Sequence, residues 1–531
     1  MPELAYKTFF VLPQLCRRLT DVWRAREVRS ALKLPAIVDD LLIQAITLPS
    51  ANTGFNNQRL ETFGDAVLKL CTVVHLYNKF PHRHEGQLDS LKRMSIANRT
   101  LLARALENSL ERHLTPETQS MRTWRYVAAS EDELFAVRPR RTALRQYPRR
   151  SLQDCMEAIL GASFATGGVE MALRAGTALG LSFGGAAPWY VRYSGTLTEA
   201  PAAPLFAGLQ EALGYTFKHG HLLLEAMTHP SFRSTDCSSY QRLEFLGDAF
   251  IDMVVTEYLY KKFPTATSGQ LSWARSRAVC SPAFASVAVK RLGLHKLLLI
   301  NNVELSTAIS MHVPVLEEIS DEDIVLHGWK HDPPKALSDV LESVFGALFV
   351  DCDYNYDKAA VITEMVLEDL LAVLRPDLPK DPVSELMVWV AQAGCRYDTV
   401  SVLVHGTTVA GPVAAPNFSM AKGLAAERAR TVLSDPASPH YLSRMCICPR
   451  KGAAAKPLPP ALPLDVPDKK ELNDETDEGF AMLAQILVDE IEDPAPSSEE
   501  DNDPGEQTDE DWDEELEVER MMDVDPYPIA T

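Results

Sequence analysis

The chain has 531 residues, of which 46% are hydrophobic, so it is long enough for several domains with ordinary buried cores. No apolar run approaches the length of a membrane-spanning helix, and nine cysteines in so long a chain argue against a disulfide scaffold and suit a reducing compartment. Because the first thirty residues lack the pattern of a signal or transit peptide, we expect a cytoplasmic or nuclear protein that is not secreted.

The net charge of −21 is confined to the end of the chain. Residues 451–531 hold 26 acidic and 5 basic side chains, and the preceding 450 residues hold 47 of each. The acidic balance therefore does not exclude nucleic-acid binding by the body of the protein. The composition of 451–531 predicts a disordered acidic tail. Within it, the apolar residues at 480–493 leave open a short helix that docks on a partner or mimics RNA.

Composition and hydrophobic spacing divide the chain into successive segments. The predicted order is a connector helix at 1–35, a domain at 36–183, a linker rich in glycine, alanine and proline at 184–203, a second domain at 204–378, a small α/β unit at 381–450 and the tail at 451–531.

The two large domains are copies of one another. The matched blocks are "AITLPS" (45–50) with "AMTHPS" (226–231), "NQRLETFGDAV" (57–67) with "YQRLEFLGDAF" (240–250), and "DCMEAILGA" (154–162) with "DVLESVFGA" (339–347). The blocks keep their order at offsets of 181, 183 and 185 residues. Apolar residues recur at helical spacing through "RLEFLGDAFIDMVVTEYLY", so the sequence predicts a duplicated all-helical domain.

Each copy carries two pairs of carboxylates at helical spacing, which places the members of a pair on one helix face. The eight acids are Glu61, Asp65, Asp154 and Glu157 in the first copy, and Glu244, Asp248, Asp339 and Glu342 in the second. One isolated pair is usually a solvated surface. Here the neighbours are apolar or glycine and the set recurs, and a buried acidic cluster requires a compensating cation. All-oxygen ligation suits Mg²⁺ or Mn²⁺, which support phosphodiester hydrolysis.

"RLEFLGDA", followed further along by "DxxE" and "GA", resembles the signature of the ribonuclease III family. Two tandem copies resemble the catalytic half of the fungal type of Dicer, and "PKALSDVLESVFGALFVD" (334–351) is similar to its second nuclease domain. The resemblance implies a mainly α protein whose two nuclease domains form an intramolecular pseudo-dimer. It also implies cleavage of double-stranded RNA in small-RNA production, leaving 5′-phosphates, 3′-hydroxyls and two-nucleotide 3′ overhangs.

The resemblance assigns metal binding to all eight acids and implies that Lys335 steadies the scissile phosphate, with Arg150 at a similar place in the first domain. An auxiliary acid of the family corresponds to Glu85, but the second domain has Ser268 there. Six arginines crowd residues 138–150, and they either bind phosphates beside the first site or form a solvated loop. The candidate RNA contacts in this cluster are Arg138, Arg140, Arg141 and Arg145.

The α-β-α order of residues 381–450 resembles a double-stranded RNA-binding domain. It is degenerate, because Lys422 alone remains of the expected basic group, so we expect weak RNA binding or a protein-docking role. Three cysteines and a histidine in this unit are either ordinary thiols with a histidine nearby or a closed structural Zn²⁺ site, which the family resemblance favours. The candidate ligands are Cys395, His405, Cys446 and Cys448.

Two other functional classes stay open. One is a catalytically silent RNA-binding scaffold on the same fold, although a scaffold gains nothing by burying eight acids. The other is an assembly protein that acts through its third domain and tail. The sequence shows no phosphate-binding loop and no helicase or end-binding motif, so such functions are either missing or supplied by another chain. A fragment of a longer protein and a minimal enzyme both stay open.

Overall fold

The computed structural model describes residues 3–114, 150–193, 195, 197–232, 238–392, 397–398, 401–411, 413 and 418–446. The chain divides into two compact units, Met1–Pro379 and Lys380–Thr531, and each is described by itself. Within the described ranges, no helix has both the length and the apolar character needed to cross a membrane.

The described part of the first unit is helical, as the sequence predicts. Its α-helices are α1 (Glu3–Ala31), α2 (Asp39–Ala45), α3 (Gln58–Lys79), α4 (Glu85–Ile96), α5 (Asn98–Glu107), α6 (Ser151–Ala178), α7 (Trp189–Tyr193), α8 (Ala207–Leu213), α9 (Gly220–Ala226), α10 (Gln241–Lys262), α11 (Ser268–Ala278), α12 (Ser281–Lys290), α13 (Val303–Glu318), α14 (Asp321–His327), α15 (Ala336–Asp351), α16 (Tyr356–Val366) and α17 (Glu368–Ala372). Short 3₁₀ turns lie at Pro49–Ala51, Leu110–Arg112, Pro204–Phe206, Leu294–Lys296 and Gly328–Lys330.

The duplication in the sequence is a duplication of helices. Helices α3 and α10 begin and end at positions that are 183 residues apart. Each is the buried central helix of its domain, packed against α6 in the first copy and against α15 in the second. Apolar side chains surround α10 on several sides, because it contacts helices of both copies as well as α15.

Glycine allows each central helix to approach the helix packed against it closely. A Cβ atom on Gly64 of α3 would lie 1.7 Å from the carbonyl oxygen of Glu157 on α6. A Cβ atom on Gly247 of α10 would lie 1.8 Å from the carbonyl oxygen of Glu342 on α15. Only a residue without a side chain permits these backbone contacts, which set the spacing of the helices that carry the acids.

Two arginines join the copies in a pseudo-symmetric way. Arg59 donates to the carbonyl oxygens of Tyr260, Phe263 and Ala266 at the end of α10. Arg242, 183 positions later, donates to the equivalent oxygens at the end of α3. In each case one acceptor lies in the last turn of the helix, where carbonyls lack a partner within the helix, and the other two lie in the residues that follow it. The start of each central helix is thereby attached to the end of the other.

The second unit contains α18 (Pro382–Gln392), β1 (Tyr397–Asp398), β2 (Val402–Val404), β3 (Thr407–Ala410), α19 (Phe418–Ser434) and α20 (Leu442–Met445). The strands form an antiparallel sheet in the order β1-β2-β3, with Leu403 opposite Thr408. His405 and Gly406 both have positive φ, which gives the tight turn that joins β2 to β3. Residues of α18, the sheet and α19 form the core of this unit.

Candidate active sites

Three acids of the second nuclease-like copy converge where α10 meets α15. Glu244, Asp339 and Glu342 each offer a carboxylate oxygen, and these oxygens lie within 4.8 Å of one another. Asp339 and Glu342 are one helical turn apart on α15, and the close crossing at Gly247 brings Glu244 to them. Three oxygen donors at this separation can share one hard divalent cation. We call this group the second acidic cluster.

Burial and mutual repulsion disfavour the charged forms of the second acidic cluster. Burial, and then the nearby Asp248, Asp339 and Glu244, raise the pKa of Glu342 to about 9. Burial raises the pKa of Glu244, and the charge on Asp339 raises it further. Without a cation, this cluster therefore holds protons that ordinary carboxylates release, and a bound cation would favour their release.

Lys335 lies directly over this cluster. Its Nζ donates to Glu244 Oε1 at 3.1 Å and lies 3.2 Å from Asp339 Oδ1. The side chain of Lys335 is 74% exposed, whereas Glu244 and Asp339 are buried. The two carboxylates raise the pKa of Lys335 by more than burial lowers it, so the ammonium stays charged at the mouth of the site.

The cleft around the second acidic cluster has a volume of about 260 Å³ and is formed by both copies. Helix α4 of the first copy contributes Glu85, Asp89 and Lys92. Lys92 lies 5.4 Å from the centre of the Phe245 ring of the second copy. The acid that the sequence suggested as auxiliary to the first domain, Glu85, therefore lies at the cleft of the second.

The first copy has an equivalent group, the first acidic cluster, formed by Glu61, Asp154 and Glu157. Their carboxylate oxygens also lie within 4.8 Å of one another, between α3 and α6. All three residues are half-buried, so this cluster is more open than the second. Ser268, which replaces an acid in the repeat, contacts Thr62 of the first copy at 2.6 Å between hydroxyl oxygens.

The fourth acid of each copy stands apart from these groups of three and pairs with a cation of the other copy. Asp248 lies 3.0 Å from Lys69 Nζ on α3. Asp65 lies 3.8 Å from Arg275 Nη1 on α11. Lys69 and Arg275 also contact Asp252, at 3.3 Å and 3.6 Å. None of these three residues was predicted from the sequence, although the 183-residue offset of the repeat puts Lys69 at the position of Asp252.

The other candidate residues lie elsewhere or outside the described part of the chain. Lys422 is half-buried on α19 of the second unit. His405 occupies the turn between β2 and β3, and Cys446 follows α20 and packs against the core of that unit. The arginines Arg138, Arg140, Arg141 and Arg145 and the cysteines Cys395 and Cys448 lie outside the described residues.

Comparison with known families agrees with this geometry. The model of the ribonuclease III domain matches residues 58–168 and 241–353, which hold both acidic clusters. Both copies are therefore ribonuclease III domains.

With two such domains in tandem, the chain is Dicer-like. It is 29% identical to Endoribonuclease Dicer homolog 3b of Oryza sativa subsp. japonica, over 73% of this chain and 26% of the relative. It is 30% identical to Dicer-like protein 1 of Neurospora crassa, over 60% of this chain and 23% of the relative. The chain thus spans about a quarter of the length of these relatives.

Two solved structures are similar to parts of this chain. The nuclease domain of ribonuclease III from Campylobacter jejuni is 32% identical, with 31% of this chain and 96% of that chain covered and a TM-score of 0.24. Dicer from Giardia intestinalis is 15% identical, with 60% of this chain and 55% of that chain covered and a TM-score of 0.38.

Proposed function

We propose that this chain is a metal-dependent endoribonuclease that cleaves double-stranded RNA, with each acidic cluster cutting one strand. The observation that carries the proposal is the convergence of three carboxylates from two helices, repeated in both ribonuclease III domains. Sequence similarity to Dicer homologues supports the substrate class. A silent scaffold would have no reason to keep two such clusters, because three carboxylates brought close together repel one another unless a cation compensates their charge.

The acids of each cluster would hold Mg²⁺ or Mn²⁺, with Asp65 and Asp248 completing the sets. A divalent ion bound there would supply activated water and stabilise the leaving oxygen. Lys335 would contact a phosphate oxygen at the second cluster, and the exposure of its ammonium at the mouth of the cleft supports this role. Glu85, which lines the same cleft, would assist there.

Products with 5′-phosphates, 3′-hydroxyls and short 3′ overhangs, and a role in small-RNA production in the cytoplasm or nucleus, follow from the family resemblance. The second unit, as a degenerate RNA-binding domain, would add few phosphate contacts. A helicase or an end-binding function, where cleavage needs one, would come from outside this sequence, on a separate chain or on a longer form of the same protein. The domain limits inferred from the sequence, 36–183 and 204–378 for the two nuclease domains, belong to the same proposal.

A structural zinc ion is our proposal for the second unit, bound by Cys395, His405, Cys446 and Cys448. The turn at His405 and the packing of Cys446 against the core of the unit support it. Thiolates are soft ligands that favour Zn²⁺ over Mg²⁺, and four protein ligands leave no position open for chemistry. The ion would then stabilise a small domain.

The test uses a duplex RNA with a different end label on each strand. The purified chain should cut both strands with Mg²⁺ or Mn²⁺, without ATP, and should stop in excess EDTA. Asp65→Asn should leave one strand uncut and Asp248→Asn the other. A wild-type protein that binds the duplex but cuts neither strand at any metal concentration would establish the scaffold instead.

A further inference from the structure

A chain of alternating charges connects the two candidate active sites. It runs from Asp65 to Arg275 at 3.8 Å, from Arg275 to Asp252 at 3.6 Å, from Asp252 to Lys69 at 3.3 Å, and from Lys69 to Asp248 at 3.0 Å. The two ends are the fourth acids of the first and second domains. The centre, Asp252, belongs to neither acidic cluster.

The inner members of this chain are shielded from solvent. The side chains of Asp252, Lys69 and Arg275 are 10%, 22% and 23% exposed. Salt screens partly buried ion pairs much less than surface pairs, and removing one partner leaves an uncompensated charge. The positions of these charges therefore depend on one another.

The contacts cross between the copies. Lys69 lies on α3 of the first domain but pairs with Asp248 of the second. Arg275 lies on α11 of the second domain but pairs with Asp65 of the first. Lys69 and Asp252 occupy equivalent positions of the repeat, and they lie next to each other. Their opposite charges attract, whereas the same charged residue in both copies would place two like charges side by side.

We propose that Asp252 is a positioning residue shared by both active sites, which it serves by anchoring Lys69 for the second site and Arg275 for the first. This inference rests on the proposed function. In this arrangement, each site depends on a cation supplied by the opposite domain. A shift of the fourth acid by a fraction of an ångström would then lower the cleavage rate of the strand that this acid helps to cut.

The crossed contacts define the experiment. Asp65→Asn and Asp248→Asn first assign each labelled strand to its site. Lys69→Met removes the charge while keeping an unbranched side chain. It should lower the cleavage rate of the strand assigned to the second site about ten-fold, and that of the other strand less than about two-fold. Arg275→Met should show the opposite selectivity, although it lies in the second domain.

Asp252→Asn should slow both strands to a similar degree, whereas Lys69→Arg, which keeps the charge, should leave both rates near wild type. Asp353→Asn is the matched control, because Asp353 pairs with Lys218 on the exposed surface, and it should alter neither rate. Melting curves identify any variant that does not fold, and Arg275→Met and Asp252→Asn decide the question if Lys69→Met is one of these.

If Lys69→Met slowed the cleavage of both strands equally, or slowed only the cleavage assigned to the first site, the inference would be overturned. Cleavage of both strands by the wild-type protein would still support the proposed function in that case. A wild-type protein that cuts neither strand would instead reject the proposed function itself.

Discussion

The close crossing of α10 and α15 makes Gly247→Ala the most direct test of how the second acidic cluster is assembled. The added Cβ atom would lie 1.8 Å from the carbonyl oxygen of Glu342 and 2.9 Å from the amide nitrogen of Gly346. Side-chain carbons essentially never approach other atoms within 3.0 Å, so the helices must separate by about 1.2 Å or more, since packed interiors have no free space to absorb the methyl group.

This separation would pull Glu244 away from Asp339 and Glu342. A displacement of about 1 Å can cost about a hundred-fold in rate, so the strand assigned to the second site should be cut about a hundred times more slowly. Overpacking should also lower the free energy of unfolding by about 3 kcal/mol. Gly64→Ala, the equivalent change in the first domain, should slow the other strand.

The assay is strand-resolved cleavage of the doubly labelled duplex, with melting of each variant measured in parallel. Gly208→Ala is the matched control, because a Cβ atom at this helical position meets nothing within 4 Å. It should keep both rates and lose no stability. If Gly247→Ala folded and cut both strands at wild-type rates, the close crossing would not be what assembles the cluster.

Three further predictions concern stability and metal content. Burial raises the pKa of Glu342 from 4.5 to about 9, so the folded protein binds this proton more tightly than the unfolded chain does. The melting temperature of metal-free protein should therefore fall as the pH rises between these two values. A melting temperature that does not change over this pH range would contradict the raised pKa of Glu342. Arg242→Ala should cost about 3 kcal/mol of unfolding free energy in a denaturant titration, because three carbonyls in and just after the last turn of α3 lose a charged donor. The exposed Arg93→Ala should cost no more than about 0.5 kcal/mol, and equal losses would refute this role. Protein purified without added metal should contain about one zinc per chain by elemental analysis and lose it on Cys446→Ser, whereas zinc-free wild-type protein would reject the site.

Local patterns in the sequence determined a large part of this protein. The spacing of apolar residues predicted the helices, and the matched blocks predicted the duplication, both of which the structure confirms. The acids of each pair could be placed on one helix face because such spacing is a property of a single helix. The family resemblance then identified two ribonuclease III domains.

Tertiary structure decided how those helices meet. No local pattern shows that Gly247 lies against Glu342, that Glu85 of the first domain lies at the cleft of the second, or that Lys69 pairs with Asp248. These contacts join residues that are far apart in the sequence, and their geometry depends on the packing of whole helices. For the same reason, only the fold shows that three acids of each copy converge while the fourth pairs with a cation of the other domain.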